Sequence, residues 1–494
     1  MIETGIVSIL PPLIAITLAL ITKEVYSSLF IGVFSGMMIF TVFSGEPLTA
    51  VFPHMFDMMA EKISDNSYMI IFLSLLWAVI TLVGKSGGME AYGRFAGEKL
   101  KSRRMIQLAT SLLGVLIFID DGFNCLTIGT VMRPVYDRQK ISREKLAYII
   151  DATAAPVCII APVSSWAVAV ASEISDTNGF HAFLSTIPYN FYALLTIIMV
   201  LFISITGRDF GKMKKAEEEA LNAAVPPVVL SGEVKENKDG RIYDLVLPIL
   251  VLIISAIFGM AYVGGFFSGV PFSEAIGYNP AAGLSLGAFA GLVTAFILYI
   301  PRKIMTPKEY ISSIVNGIGS IVPPMLILIL SWSLGGVCRQ KIGTGEFISG
   351  FVSEANISLA LFPFLVFLIS SLMSFSMGTS WGTFGILIPI VSMICSASYG
   401  SDMLIPSLGA TLAGSVFGDH CSPISDTTIL SSTGAMCDHI RHVETQIPYA
   451  VTVAAVCAVA YVISGLTGTH WTGLITGAVL LLIFLNLRTS RKKQ

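Results

Sequence analysis

The sequence predicts an all-α membrane protein of about eleven transmembrane helices plus two re-entrant hairpins, arranged as two inverted-topology repeats. Three observations carry that expectation. The apolar stretches are too many and too long for a water-soluble core. Two of them are broken at their centres by polar tips. The second half of the chain also repeats the pattern of the first.

Of the 494 residues, 54% are hydrophobic types and 13% are charged, about half the charged share of a soluble domain. The charges cluster, which leaves stretches near the roughly 20 residues that a helix needs to cross a bilayer. Examples are 185–206, 244–264, 281–300, 447–466 and 471–487. One such stretch could be a buried core helix, but ten or so in one chain point to a lipid bilayer as partner. The stretch 5–22 lacks the basic start of a signal peptide and reads as the first span. A net charge of −2 gives no reason to expect nucleic acid. The seven cysteines are scattered without a CxxC pair, so neither a zinc site nor a disulfide framework is expected. No nucleophile–base pair stands out, so the chain is not read as an enzyme, and no organic cofactor is expected.

Lys and Arg in short loops mark the cytoplasmic side. The basic clusters are Lys99–Arg104, Arg133–Lys145, Arg208–Arg241, Arg302–Lys308 and Arg488–Lys493, and the loops poor in them are 45–66, 172–184 and 265–280. This places the N-terminus outside and the C-terminus inside the cytoplasmic membrane. Only one apolar stretch, 105–132, separates the first two basic clusters, and Asp120-Asp121-Gly122-Phe123-Asn124 interrupts it. A hairpin that enters, turns at 120–124 and returns keeps both clusters inside. The same reasoning makes 359–397 a second hairpin with its tip at 377–383.

Shifting the chain by about 255 residues aligns Gly32, Phe34 and Gly36 with Gly287, Phe289 and Gly291, Trp77 with Trp332, and Pro134 with Pro389. Ala161–Ser165 resembles Ser422–Asp426 at a similar shift. The first half starts outside and the second inside, so the repeats are inverted. The first repeat is 1–206. Residues 207–243 form a polar cytoplasmic linker whose Glu/Lys run could make a short surface helix. The second repeat is 244–466, and 467–494 add a further span and a basic tail. Amphipathic stretches 51–63 and 307–318 occupy matching positions.

An ionisable residue at membrane depth costs several kcal/mol unless it is paired or wet, and broken backbone there is tolerated only when it is covered or lines a cavity. Four clusters combine both features. The first is Asp120, Asp121 and Asn124 at the first tip, where adjacent carboxylates suit alternation between a proton and a cation. An Asp here could instead cap the second arm. The second is Asp151 with the run from Pro156 to Pro162, Ser164, Ser165 and Trp166. Freed carbonyls and hydroxyls there make an oxygen cage suited to a hard cation such as Na⁺. Asp151 sits near the inner edge, as an entry-path residue or as a plain helix cap. The third is Thr379, Ser380, Trp381 and Thr383 at the second tip, which could equally be small residues packed tightly. The fourth runs from Gly418 to Thr428 and holds Asp419, His420, Ser422, Ser425, Asp426 and Thr427. His420 has the reference pKa of a pH sensor. His54, His181, His439, His442 and His470 read as solvated.

Gly378-Thr-Ser-Trp-Gly-Thr-Phe-Gly385 and Gly418-Asp-His-Cys-Ser-Pro-Ile-Ser-Asp-Thr-Thr428 resemble the signature segments of the NhaC family of Na⁺/H⁺ antiporters. Asp120–Asn124 and Ala161–Trp166 resemble its first-half counterparts. That family belongs to the ion transporter superfamily. The resemblance implies a scaffold with a mobile transport domain, elevator-like movement and a homodimer. The residues themselves read as one exchange site with Na⁺ and H⁺ as coupling ions, Asp121 and Asp426, joined by Asp419, binding Na⁺ when ionised and releasing it on protonation. Thr379, Ser380, Ser164 and Ser425 would add neutral oxygens, with Na⁺ centred on Asp121, Asp426, Ser425 and Thr379. His420 and Cys421 stand where the antiporter motif has a Lys and an apolar residue. Na⁺-coupled carriage of a small organic solute, an amino acid or carboxylate, therefore stays open.

Overall fold

The computed structural model describes residues 4–490 apart from 23, 119, 175–177, 223–239, 345–346, 348–358, 397–400 and 424. The linker's Val225-Pro226-Pro227 and most of the basic tail lie outside the described residues.

Among the described residues the regular structure is entirely helical. The chain opens with α1 (Leu10–Thr22), α2 (Val25–Phe43), α3 (Val51–Asp65), α4 (Ser67–Gly84) and α5 (Gly88–Lys99). A helix–break–helix unit follows, α6 (Arg103–Leu116) and α7 (Asp121–Arg138). Next comes a run interrupted at its prolines, α8 (Arg143–Thr153), α9 (Ala155–Cys158) and α10 (Ser165–Glu173). The half closes with α11 (Gly179–Thr186), α12 (Phe191–Thr206) and α13 (Gly211–Asn222).

The second half begins with α14 (Ile242–Val263), α15 (Phe272–Tyr278), α16 (Pro280–Tyr299), α17 (Pro307–Ser320) and α18 (Val322–Gly336). The second helix–break–helix unit is α19 (Phe362–Met377) and α20 (Ser380–Ile394). After it come α21 (Leu404–Cys421), α22 (Asp426–Ala435), α23 (His439–Thr467) and α24 (His470–Ser490).

Eight of the described helical runs are long and apolar enough to cross a membrane, fewer than the eleven spans expected. The difference has a local cause. α1 has only 13 residues, the prolines at 156 and 162 cut the run of α8 to α10 into pieces too short to count, and α21 carries the polar Asp419 and His420 at its end. The amphipathic stretches form α3 and α17, and the Glu/Lys run of the linker forms α13. Outward faces are apolar where lipid is expected: Ile254 and Phe258 on α14 and Phe289 and Ile297 on α16 are all exposed. A water-soluble protein would not leave such a continuous apolar surface bare.

The two breaks are built differently. At the second, Gly378 ends α19 with φ of 69°, a left-handed conformation that a side chain disfavours, and Thr379 then caps α20 by accepting from Gly382 N. At the first, the Asn124 amide ties the arms together. Its Nδ2 donates to the carbonyls of Gly114 at 2.8 Å and Ile117 at 3.2 Å. The two units approach the core through small residues. A Cβ on Gly129 of α7 would fall 2.6 Å from the Gly434 carbonyl carbon, so α7 and α22 touch backbone to backbone.

The basic ends are pinned by ion pairs. Glu217 on α13 accepts from the Ser142 backbone N at 2.8 Å and pairs with Arg103, which fastens the linker helix to the base of the first unit. Lys145, fully buried, pairs with Asp209, which also accepts from the Tyr449 hydroxyl at 2.6 Å. Removing one partner leaves a buried charge unpaired. Lys145→Met should therefore cost about 3–5 kcal/mol, whereas Lys145→Met with Asp209→Leu should recover most of it. Thermal unfolding of the two variants in detergent checks both expectations.

Candidate ion-binding site

A cavity of about 400 Å³ lies where the two helix–break–helix units meet. Asp120, Asp121 and Gly122 reach it from the first unit. Met377, Gly378, Thr379 and Trp381 reach it from the second, and Asp426, Thr427 and Leu430 from the start of α22. The opposite wall is Trp77 on α4 and Pro323 and Ile327 on α18, with Glu24 and Tyr26 at the turn between α1 and α2. Residues more than 300 positions apart in the chain thus face one space.

The carboxylates differ in setting. Asp120 is buried, Asp121 is half-buried at the first turn of α7, and Asp426 at the first turn of α22 is exposed to the cavity. Both Asp121 and Asp426 sit at helix N-termini, where the peptide dipoles favour negative charge. The charges acting on Asp121 through space are Asp120, Asp426 and Asp419, so the acidic groups of the two halves are electrostatically joined. Asp426 Oδ1 also accepts from the Thr427 backbone N at 3.0 Å.

Asp419 lies one layer behind. Its Oδ2 accepts from Ser380 Oγ at 2.7 Å and from Ser380 N at 3.3 Å, while its Oδ1 is buried without a hydrogen-bond partner among the described residues. Ser380 thus links the second tip to the polar run of α21. Trp166 on α10, fully buried, packs edge-on with ring centroids 6.0 Å apart against Trp381, which lines the cavity, so an aromatic pair from opposite halves backs the site.

Several residues read as ligands are committed elsewhere. Ser164 Oγ caps α10 and shares its one proton within its own loop, lying 2.9 and 3.0 Å from the carbonyls of Cys158 and Ala161. Thr383 Oγ1 donates to Thr379 O at 2.9 Å. Ser425 caps α22 and meets Thr427 Oγ1 at 3.0 Å. Asn124 holds the first unit together through its Nδ2, although its Oδ1 is buried without a partner. Ser165 and Ser422 are buried and do not line the cavity.

Asp151 is not at an edge. It is 1% exposed, and its Oδ2 accepts from Gln446 Nε2 at 2.8 Å and lies 3.4 Å from His442 Nε2. An entry-path position or a plain cap does not describe it, because α23 covers the last turn of α8. His442, expected to be solvated, is fully buried in this cluster. His420 turns away from the cavity: its Nδ1 meets the Tyr192 hydroxyl at 2.8 Å and its ring stacks on Tyr148. Reading spans one at a time hid this network, since Asp151 and Gln446 are 295 residues apart. Trp77, Glu24 and Tyr26 were also missed, and the only sequence signal was the pairing of Trp77 with Trp332 in the repeat.

Comparison with known proteins fits this geometry. Residues 166–466 match the Na⁺/H⁺ antiporter family. The chain is 36% identical to an uncharacterized protein of Haemophilus influenzae over 501 aligned residues, covering 98% of this chain and 95% of the other. It is 28% identical to the malate-2H⁺/Na⁺-lactate antiporter of Bacillus subtilis, over 36% of this chain and 42% of that protein. Its fold resembles the YdaH transporter of Alcanivorax borkumensis, with a TM-score of 0.50 at 11% identity, covering 88% of this chain and 89% of that one. The chain therefore belongs to the Na⁺/H⁺ antiporter family, in its NhaC-like branch, and is a multi-pass secondary transporter from a family that also includes antiporters of organic solutes.

Proposed function

We propose that this protein exchanges Na⁺ for H⁺ by letting both compete for one set of carboxylates, Asp121 and Asp426 with Asp419 behind them. The observation that carries the reading is the shared cavity, with carboxylates from both halves and the hydroxyl-bearing tip at Thr379 on one space. Ionised, the carboxylates hold a hard cation with help from neutral oxygens. Protonated, they lose the charge that holds it. A site that holds one or the other couples the two flows without a separate device.

The two helix–break–helix units act as re-entrant hairpins of two inverted repeats, and they move as one body against a frame that includes α2, α4 and α18. Two such chains form a dimer in the bacterial cytoplasmic membrane, with the N-terminus outside and the C-terminus inside. In that orientation the turn at Glu24 and Tyr26 lies on the cytoplasmic side, and the cavity belongs to an inward-facing state.

A second reading has its own support. About 400 Å³ is far more than a bare cation fills and lies within the range of small-molecule sites. The Trp166–Trp381 pair could cover a small carboxylate held at a hairpin N-terminus. Purified protein in liposomes with a trapped pH dye separates the readings. Alkalinisation or acidification on adding Na⁺ or Li⁺ alone, with K⁺ inactive, is expected of simple exchange. A signal that appears only when an amino acid or dicarboxylate is also present would assign the organic solute.

A further inference from the structure

A second cavity, of about 380 Å³, lies at the other end of α10 from Ser164 and Trp166. Its lining includes Lys62 and Asp65 of α3, Trp332 of α18, Arg339, and Pro389 of α20. At its floor sits Glu173, the last residue of α10, 2% exposed and outside the ion site described above.

Its hydrogen bonds can be counted. Ser331 Oγ on α18 lies 2.9 Å from Glu173 Oε2 and is also bonded to the Gly385 carbonyl of α20. A hydroxyl has one proton to give. If Glu173 were ionised, two acceptors would compete for that proton. Glu173 Oε1, buried and without a hydrogen-bond partner among the described residues, would hold charge as well. The position also closes a helix, where the dipole disfavours a negative group. The neutral acid ends the competition: the carboxyl proton goes to Ser331 Oγ, the Ser331 proton goes to Gly385 O, and Oε1 is left as an uncharged carbonyl oxygen. A second bond crosses the same seam, from Trp332 Nε1 to Ser172 Oγ at 3.0 Å.

We propose that Glu173 is a proton-binding site separate from the cation site, and that its protonated form latches α10 to α18 and α20 on the side of the molecule opposite the ion cavity. Loss of the proton to water in the second cavity leaves a buried charge with a contested donor. That charge draws water in and loosens the seam. The other charges facing it are Arg339, which bears on Glu173 through space and donates to Pro389 O at 3.3 Å, and Lys62, held between Glu61 and Asp65. As a step in transport, the latch rests on the exchange reading above. It links release of a proton on this side to opening on this side.

Hydrogen exchange of the α10 segment in the purified full chain tests the latch, with rates corrected for intrinsic exchange and no Na⁺ added. In the native protein, protection of residues 165–173 should fall about tenfold or more between about pH 6 and about pH 9. Glu173→Gln keeps a donor toward Ser331 and cannot ionise, so it should stay protected at both ends. Ser331→Ala should show the low protection at both ends. Na⁺ affinity of Glu173→Gln, by calorimetry, should stay within about twofold of the native value. Native protection that is flat with pH, or a Glu173→Gln variant that follows the native curve, overturns the proposal. Should Glu173→Gln not fold, the native curve and Ser331→Ala still decide it. If the native chain binds no Na⁺ yet shows the pH-dependent seam, the exchange reading fails and the latch stands.

Discussion

Asp121→Asn and Asp426→Asn should each lower Na⁺-driven proton movement in liposomes by about a hundredfold or more, equivalent to about 2.7 kcal/mol. Asparagine keeps the shape of the side chain and the lining of the cavity. It loses the charge that attracts a cation and the group that exchanges a proton, so both functions of the site go together. The two residues come from different halves of the chain, yet each faces the same space and acts on the other's charge. Losing either one should therefore be as damaging as losing both, and the double variant should add little. Ser164→Ala should be far milder on transport, since Ser164 Oγ already caps α10 and donates within its own loop.

Gly418→Leu should prevent the protein from reaching its native fold. A Cβ at Gly418 would fall 2.4 Å from Ser371 O and 2.5 Å from Phe375 N, both backbone atoms of α19. No rotamer change relieves a clash with backbone, so α19 and α21 would have to part. That separation breaks the bonds from Ser370 Oγ to Thr411 O and from Ser374 Oγ to Ser415 O, each 2.6 Å. The overpacking cost is about 3 kcal/mol or more, to which the stranded hydroxyls and carbonyls add. The variant should be lost from the monodisperse peak on size-exclusion chromatography in detergent. Gly319→Ala is the control: a Cβ there meets nothing within 4 Å, so stability should hold or rise by up to about 1 kcal/mol.

Much of this arrangement was legible in the sequence because it follows from short-range rules. Residues 377–383 and Asp120-Asp121-Gly122 each read as a polar break within an apolar stretch. The amphipathic period of 51–63 and 307–318 gave α3 and α17. What was hidden depends on long-range partners. Glu173 reads as part of a polar outer loop until Ser331, 158 residues on, is placed against it. His442 reads as a surface residue beside Arg441 until Asp151 is seen at its ring. Asn124 reads as an ion ligand because asparagine at a polar tip has that chemistry, and only the positions of the Gly114 and Ile117 carbonyls show that its amide closes the helix–break–helix unit. The prolines at 156 and 162 marked a broken segment correctly. They could not say that the Cys158 carbonyl, four residues before Pro162, would be taken by Ser164.

The central claim is that carboxylates from both halves form one site in which Na⁺ displaces protons. Adding Na⁺ to the purified protein in weakly buffered detergent solution, while recording binding heat and pH together, tests it most directly. The account predicts saturable binding with protons released into solution, weaker as the pH falls, and absent in both Asp121→Asn and Asp426→Asn. Saturable Na⁺ binding without proton release, or native binding retained in either variant, would contradict it.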